Sequence, residues 1–197
     1  MRITLNQILL FVVALLAMAS CYFTFRVVVF KRSLNSGAKA FTLISGQEAQ
    51  VVKIIDGDEI SVRVGNEQIT VRMLGLYSYD PTMADPQVQP SARTTLLFLE
   101  KALQDQKVEL VFDELKFDSH KRLLAYVHKD GQDTGLIMVS KGLSLAYTKY
   151  PFSRLHPYVL AEQKAREEKQ GLWSDPQMAL RSSQLRILWE TERTRGE

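Results

Sequence analysis

The chain has 197 residues, enough for one domain with a proper core plus an anchor or tail, and its 46% hydrophobic content separates it from disordered chains. Its single cysteine, Cys21, excludes an internal disulfide framework. The formal net charge of +3 is no argument for a nucleic-acid binder, because residues 1–46 carry five Lys/Arg and no acid while residues 47–176 carry sixteen Lys/Arg against nineteen Asp/Glu.

Ile8 to Phe25 form an uncharged apolar run, which resumes after Arg26 as "VVVF" before Lys31 and Arg32. Such a run is about long enough to cross a bilayer. Ala17-Met18-Ala19 has the form of a signal-peptidase site, Met18 to Cys21 loosely resembles a lipoprotein box, and a buried core helix is the remaining alternative. "CYFTFRVVVF" is a sticky start for a mature secreted protein and the natural second half of a spanning helix. The expectation is therefore a single-pass membrane anchor over 1–30, with a secreted or lipoprotein form as the alternative. Arg26, Lys31 and Arg32 outnumber Arg2, which tilts the C-terminal side toward the cytoplasm.

Residues 31–48 read as a linker, small and polar without sustained periodicity. Three β-branched runs follow, "AQVVKIID", "EISVRVG" and "QITVRMLGL", separated by Asp56-Gly57-Asp58 and Gly65-Asn66-Glu67, as a meander requires. The three prolines between Pro81 and Pro90 predict a loop. Ser91 is a candidate cap for a helix near 91–106, along which Ala92, Leu96, Leu99 and Leu103 recur at helical spacing. "KVELVF" and "RLLAYVHK" give two more strands, Asp133 or Thr134 opens a short helix, and a longer helix covers about 155–170. Residues 176–197 form a tail, helical in part, that either docks on its own domain or meets a partner. Five short strands with one helix after the third and two near the end predict an α+β domain built on a five-stranded OB-type β-barrel with three helices.

Three stretches, "VVKIIDGDEISVRVGNEQITVRMLGLYSYDP", "FDSHKRLLAYVHKDGQDTGLIMVSKGLSLAY" and "YVLAEQKAREEKQGLWSD", occur in order and close on Gly171-Leu172-Trp173. Together they resemble the staphylococcal-nuclease (thermonuclease) family over residues 49–175. That resemblance implies an OB-type barrel and, in active members, calcium-dependent cleavage of DNA and RNA phosphodiesters.

In-line attack of water on a phosphodiester builds negative charge on equatorial oxygens, which the planar fork of arginine matches two at a time. A hard cation held by carboxylates and carbonyls adds to this, and a further carboxylate orients or deprotonates the water. Arg72 and Arg122 fall on the family's two phosphate-binding arginines, and Asp58 falls on a metal ligand, with Ser78 offering mainly a carbonyl. Asp80 stands where the family has its catalytic glutamate, one methylene shorter. Glu59 stands where threonine is usual. Tyr77 replaces a second carboxylate ligand, so any Ca²⁺ site is weakened, and restoring aspartate there is expected to raise cleavage. Tyr147, Lys149 and Tyr150 are candidates for stacking on bases and meeting phosphates, with ordinary packing as the alternative. His120, His128 and His156 show no metal spacing and read as surface residues. Two functions follow: a membrane-anchored, metal-dependent nuclease of weakened or lost activity on single- or double-stranded nucleic acid, or a non-catalytic OB-type module binding single-stranded nucleic acid or a protein at the membrane.

Overall fold

A computed structural model describes residues 17–20, 22–24, 26, 43–118, 120 and 122–196. The chain divides into two units, Met1–Leu43 and Ile44–Glu197. In the first, the described residues between 17 and 26 are helical. The rest of the expected anchor, and most of the expected linker, lie outside the described residues. Among the described residues no helix is long and apolar enough to cross a membrane.

In the second unit, β1 (Gln47–Ile54), β2 (Glu59–Val64) and β3 (Glu67–Met73) form the expected meander, and β5 (Lys107–Val111) and β6 (Leu123–Lys129) complete the ring. The strand order is β3-β2-β1-β5-β6, and a parallel β3–β6 pairing closes it into a five-stranded barrel. β7 (Gln132–Asp133) extends β6 as a hairpin. Alternation along each strand sends Val51, Ile60, Val62, Val71, Leu110, Ala125 and Val127 into a fully buried interior. The short strands β4 (Leu76–Tyr77) and β8 (Leu145–Ala146) pair separately, with Tyr77 opposite Leu145, and thereby fix the segment that follows β3.

Helix α1 (Gln89–Leu103) buries Ala92, Thr95, Leu99 and Leu103. It starts before the expected Ser91 cap: Val88 is the N-cap and no side chain caps the helix. Pro90 explains the earlier start, since its fixed φ suits a first turn where no N–H bond is needed. Helix α2 (Thr134–Ser140) is capped by Asp133, whose side chain accepts from Leu136 N. Helix α3 (Leu155–Glu167) leads into a 3₁₀ turn at Gly171–Ser174. The tail, expected to be helical in part, is a 21-residue helix, α4 (Pro176–Gly196), which adds to the three helices expected of the domain. It docks on its own domain. Met178, Trp189 and the 3₁₀ residues Leu172 and Trp173 form a second core with Tyr79, Val88 and Leu145 outside the barrel.

Candidate nucleic-acid site

The barrel register decides where the two arginines point. Arg72 on β3 lies opposite Glu59 of β2 on one side and Leu124 of β6 on the other. Cross-strand neighbours share a face, so Glu59, Arg72 and Leu124 form one row, which Arg122, just ahead of β6, joins through its ion pair with Glu59. Arg72, Leu124 and Arg122 accordingly line a single cavity of about 790 Å³, together with His120, Tyr147, Tyr150 and Phe152.

Each guanidinium already has a carboxylate partner. Arg72 Nη1 donates to Asp58 Oδ1. Arg122 donates from Nε to Asp118 Oδ2 at 2.7 Å and from Nη1 to Glu59 Oε2 at 2.9 Å, and its Nη2 lies 2.7 Å from Asp118 Oδ2. Partial burial pulls the Arg122 pKa down, but its bonds to Asp118 and Glu59 outweigh that and hold it above the ordinary value.

Asp58 and Ser78 sit together behind Arg72. The Asp56-Gly57-Asp58 turn is closed by Asp58 N donating to Asp56 Oδ1 at 2.9 Å, and by Met73 N donating to Asp58 O at 2.8 Å. Asp58 is 2% exposed, and its Oδ2 accepts from Ser78 N at 2.8 Å. Ser78 Oγ donates to Gly57 O and shares a second bond with Ser144 Oγ, both at 2.7 Å. This approach needs glycine at 57, because a Cβ there would stand 2.6 Å from Ser78 Cβ. Burial pushes the Asp58 carboxyl up, to about 8; Arg72 and Ser78 N–H pull it down without cancelling the rise, and Asp56 adds to it.

Tyr77 does not face an open metal site. Its ring meets Tyr79 at 5.6 Å, Tyr147 at 6.2 Å and Trp189 of α4 at 5.2 Å between centroids. Burial, then Tyr79 and Asp58, push its phenol above the ordinary value, so it stays neutral. Asp80 is exposed, and Thr82 supplies both hydroxyl and N–H to its Oδ1, at 2.6 and 2.7 Å, holding it below the usual carboxylate range. It does not line the cavity that Arg72 and Arg122 share.

The three expected base- and phosphate-binding residues are divided. Tyr150 is 58% exposed, lines the cavity, and meets the Tyr147 ring edge-on at 5.9 Å. Tyr147 also packs against Trp189 at 5.0 Å, and Lys149 is paired with Glu192 of α4 at 2.8 Å. The structure thus brings together Arg72, Arg122 and Asp58 with Ser78, while Asp80 stands apart and Lys149 is taken up by the tail. Sequence reasoning missed Asp118, Asp56 and Trp189. A carboxylate four residues before Arg122 was a readable signal for Asp118, and the first acid of the same turn was one for Asp56. Trp189 was legible only as an apolar residue of a tail that could dock, and nothing local marks Tyr77 and Tyr147 as its partners.

Calcium is the ion that the family resemblance makes plausible, and the donors fit it poorly as arranged. It takes six to eight oxygens, several from carboxylates. Here Asp58 is engaged by Arg72 and Ser78, Asp56 by the Asp58 N–H, and Tyr77 offers no anionic oxygen. Among the described residues, no group of three or more His, Cys, Asp or Glu side chains converges to hold a metal.

The family model described as staphylococcal nuclease homologue matches residues 70–175. A thermonuclease of Staphylococcus hyicus is 28% identical over 130 residues, which cover 66% of this chain and 77% of that protein. Endonuclease YncB of Bacillus subtilis (strain 168) is 30% identical over 144 residues, covering 69% of this chain and 68% of that one. An uncharacterised protein of Bacillus anthracis is 35% identical over 130 residues, and the chain spans only 61% of its length. The thermonuclease and endonuclease relatives support nuclease (phosphodiesterase) activity, the class in which paired arginines on one barrel face have a chemical use. The chain belongs to the staphylococcal nuclease homologue family.

Proposed function

We propose that this chain is a nuclease that grips a nucleic-acid phosphodiester between Arg72 and Arg122. The observation that carries this reading is the placement of both guanidinium groups on one barrel face, lining one cavity. Attack of water on phosphorus spreads negative charge over the equatorial oxygens, and two planar forks held by the β-sheet stabilise that charge without reorganising at the moment of reaction. Asp58 fixes the rotamer of Arg72 and Asp118 that of Arg122. Tyr150, exposed at the rim, stacks on a base, and Tyr147 forms the wall beside it. Asp80 lies outside this cavity and serves as the acid that orients water only after it leaves Thr82 and moves toward the arginines, which makes turnover slow.

The tether belongs to the same proposal. The apolar run from Ile8 holds the domain at a membrane, consistent with the exposed Met18, Tyr22 and Phe23 on its helical part. The full chain should sediment with membranes, and deletion of residues 1–30 should release it.

The decisive experiment incubates the full chain with single-stranded DNA or RNA, with calcium and with a chelator. Arg72→Ala and Arg122→Ala should each lower cleavage by about 10²–10³-fold, the usual loss of one transition-state donor. Equal cleavage by the variants would assign it to a contaminant and end the reading. The engagement of Tyr77 and Asp80 favours a second outcome: salt-dependent binding without turnover, the behaviour of a non-catalytic OB-type module.

A further inference from the structure

We propose that Glu59 is an affinity-determining residue of this site, a built-in carboxylate that competes with phosphate for Arg122. The inference rests on the nuclease reading and deepens it. A guanidinium has two edges on which it can take a pair of oxygens, one formed by Nε and Nη2 and one by Nη1 and Nη2. Asp118 Oδ2 occupies the first edge, with both nitrogens at 2.7 Å. The second edge is the one left for a phosphate, and Glu59 Oε2 sits on it at 2.9 Å from Nη1.

The two acids play different parts. Asp118 holds Arg122 through its side chain and accepts from Arg122 N at 2.9 Å as well, so it belongs to the local turn and stays when substrate arrives. Glu59 comes from another strand, 63 residues away in sequence, and holds Arg122 through the one contact only. A phosphate therefore enters by displacing Glu59. Its register opposite Arg72 keeps the displaced carboxylate in the same row, so a like charge remains beside the bound anion. Arg72 has Nη1 on Asp58, so it meets the phosphate with its remaining N–H groups and does not displace Glu59 from Arg122. Phosphate binding is weakened by this arrangement without any loss of the arginines.

The test measures the affinity of the full chain for inorganic phosphate and for a single-stranded oligothymidine, and the steady-state cleavage of the latter. Glu59→Gln should tighten phosphate binding and lower KM by on the order of tenfold, with kcat little changed, since one nearby charge at partial exposure is removed. Glu59→Asp, which keeps the charge, should stay near the parent. Melting temperatures check that each variant is folded, and Glu59→Thr replaces Glu59→Gln if that variant melts early. Unchanged or weaker phosphate binding in a folded Glu59→Gln protein overturns the proposal. So does lost turnover with unchanged affinity, which would make Glu59 part of proton transfer instead. Arg122→Ala and Arg72→Ala separate the two levels: if neither weakens phosphate binding, the nuclease reading fails, whereas if both do and Glu59→Gln does not tighten it, only the Glu59 proposal fails.

Discussion

Tyr77→Asp separates what the sequence implies from what the packing implies. By the family pattern the change restores a calcium ligand and should raise cleavage. In the structure it removes a ring that meets Tyr79, Tyr147 and Trp189 at 5.6, 6.2 and 5.2 Å. Each aromatic pair is worth about 0.5–1.5 kcal/mol beyond its area. The new carboxylate also faces aromatic walls and the nearby Asp58. The summed cost is about 3–5 kcal/mol, comparable to other large truncations in cores. For a domain of this size that lowers Tm by roughly 6–20 °C. Because Trp189 loses one of its two aromatic neighbours, keeping Tyr147, the C-terminal part of α4 should loosen as well. Thermal unfolding followed by far-UV circular dichroism reads the first effect. Tryptophan fluorescence in a Trp173→Phe background reads the second, since Trp189 is then the one tryptophan left. Tyr77→Phe keeps the ring contacts and should lose less than about 1 kcal/mol. A Tyr77→Asp protein as stable as the parent, cutting faster and binding calcium more tightly, would refute the view that this position is an aromatic docking post.

Asp58 makes stability pH-dependent with a defined sign. Its folded pKa of about 8 exceeds the ordinary 3.8, so the native state holds its proton more tightly than the unfolded chain. The contribution is complete below about pH 4 and disappears as pH rises toward 8, so the parent should lose ground against Asp58→Asn across that window; urea midpoints that run parallel would contradict it. Arg186 is 8% exposed and pairs with Glu162 at 2.9 Å while donating to Ala146 O and Thr148 Oγ1. Arg186→Met should cost about 3–5 kcal/mol in chemical denaturation by stranding a buried carboxylate, and the double variant with Glu162→Gln should recover part of the loss. Gly57→Ala would place a methyl 2.6 Å from Ser78 Cβ, so it should cost about 1–3 kcal/mol and weaken phosphate binding through Asp58 and Arg72, as read by denaturation and phosphate titration.

Local chemistry determined much of this protein without help from the tertiary structure. The β-branched runs, their turn residues and the spacing of Ala92, Leu99 and Leu103 depend on neighbours only a few positions away, and those elements form in the expected order, the helix shifted two to three residues toward the N-terminus. The two arginines and Asp58 were recognisable because their motifs are contiguous with such elements. Closure of the barrel decided the rest. The face shared by Arg72 and Arg122 follows from a parallel pairing between strands about fifty residues apart, and the Glu59–Arg122 contact bridges 63 residues. The packing of half-buried Tyr77 against Trp189 joins positions far apart in the chain, and no periodicity announces it. Side-chain type and short-range pattern are written residue by residue, whereas occupancy of a cavity is set by which distant groups the packed chain leaves no other place to go.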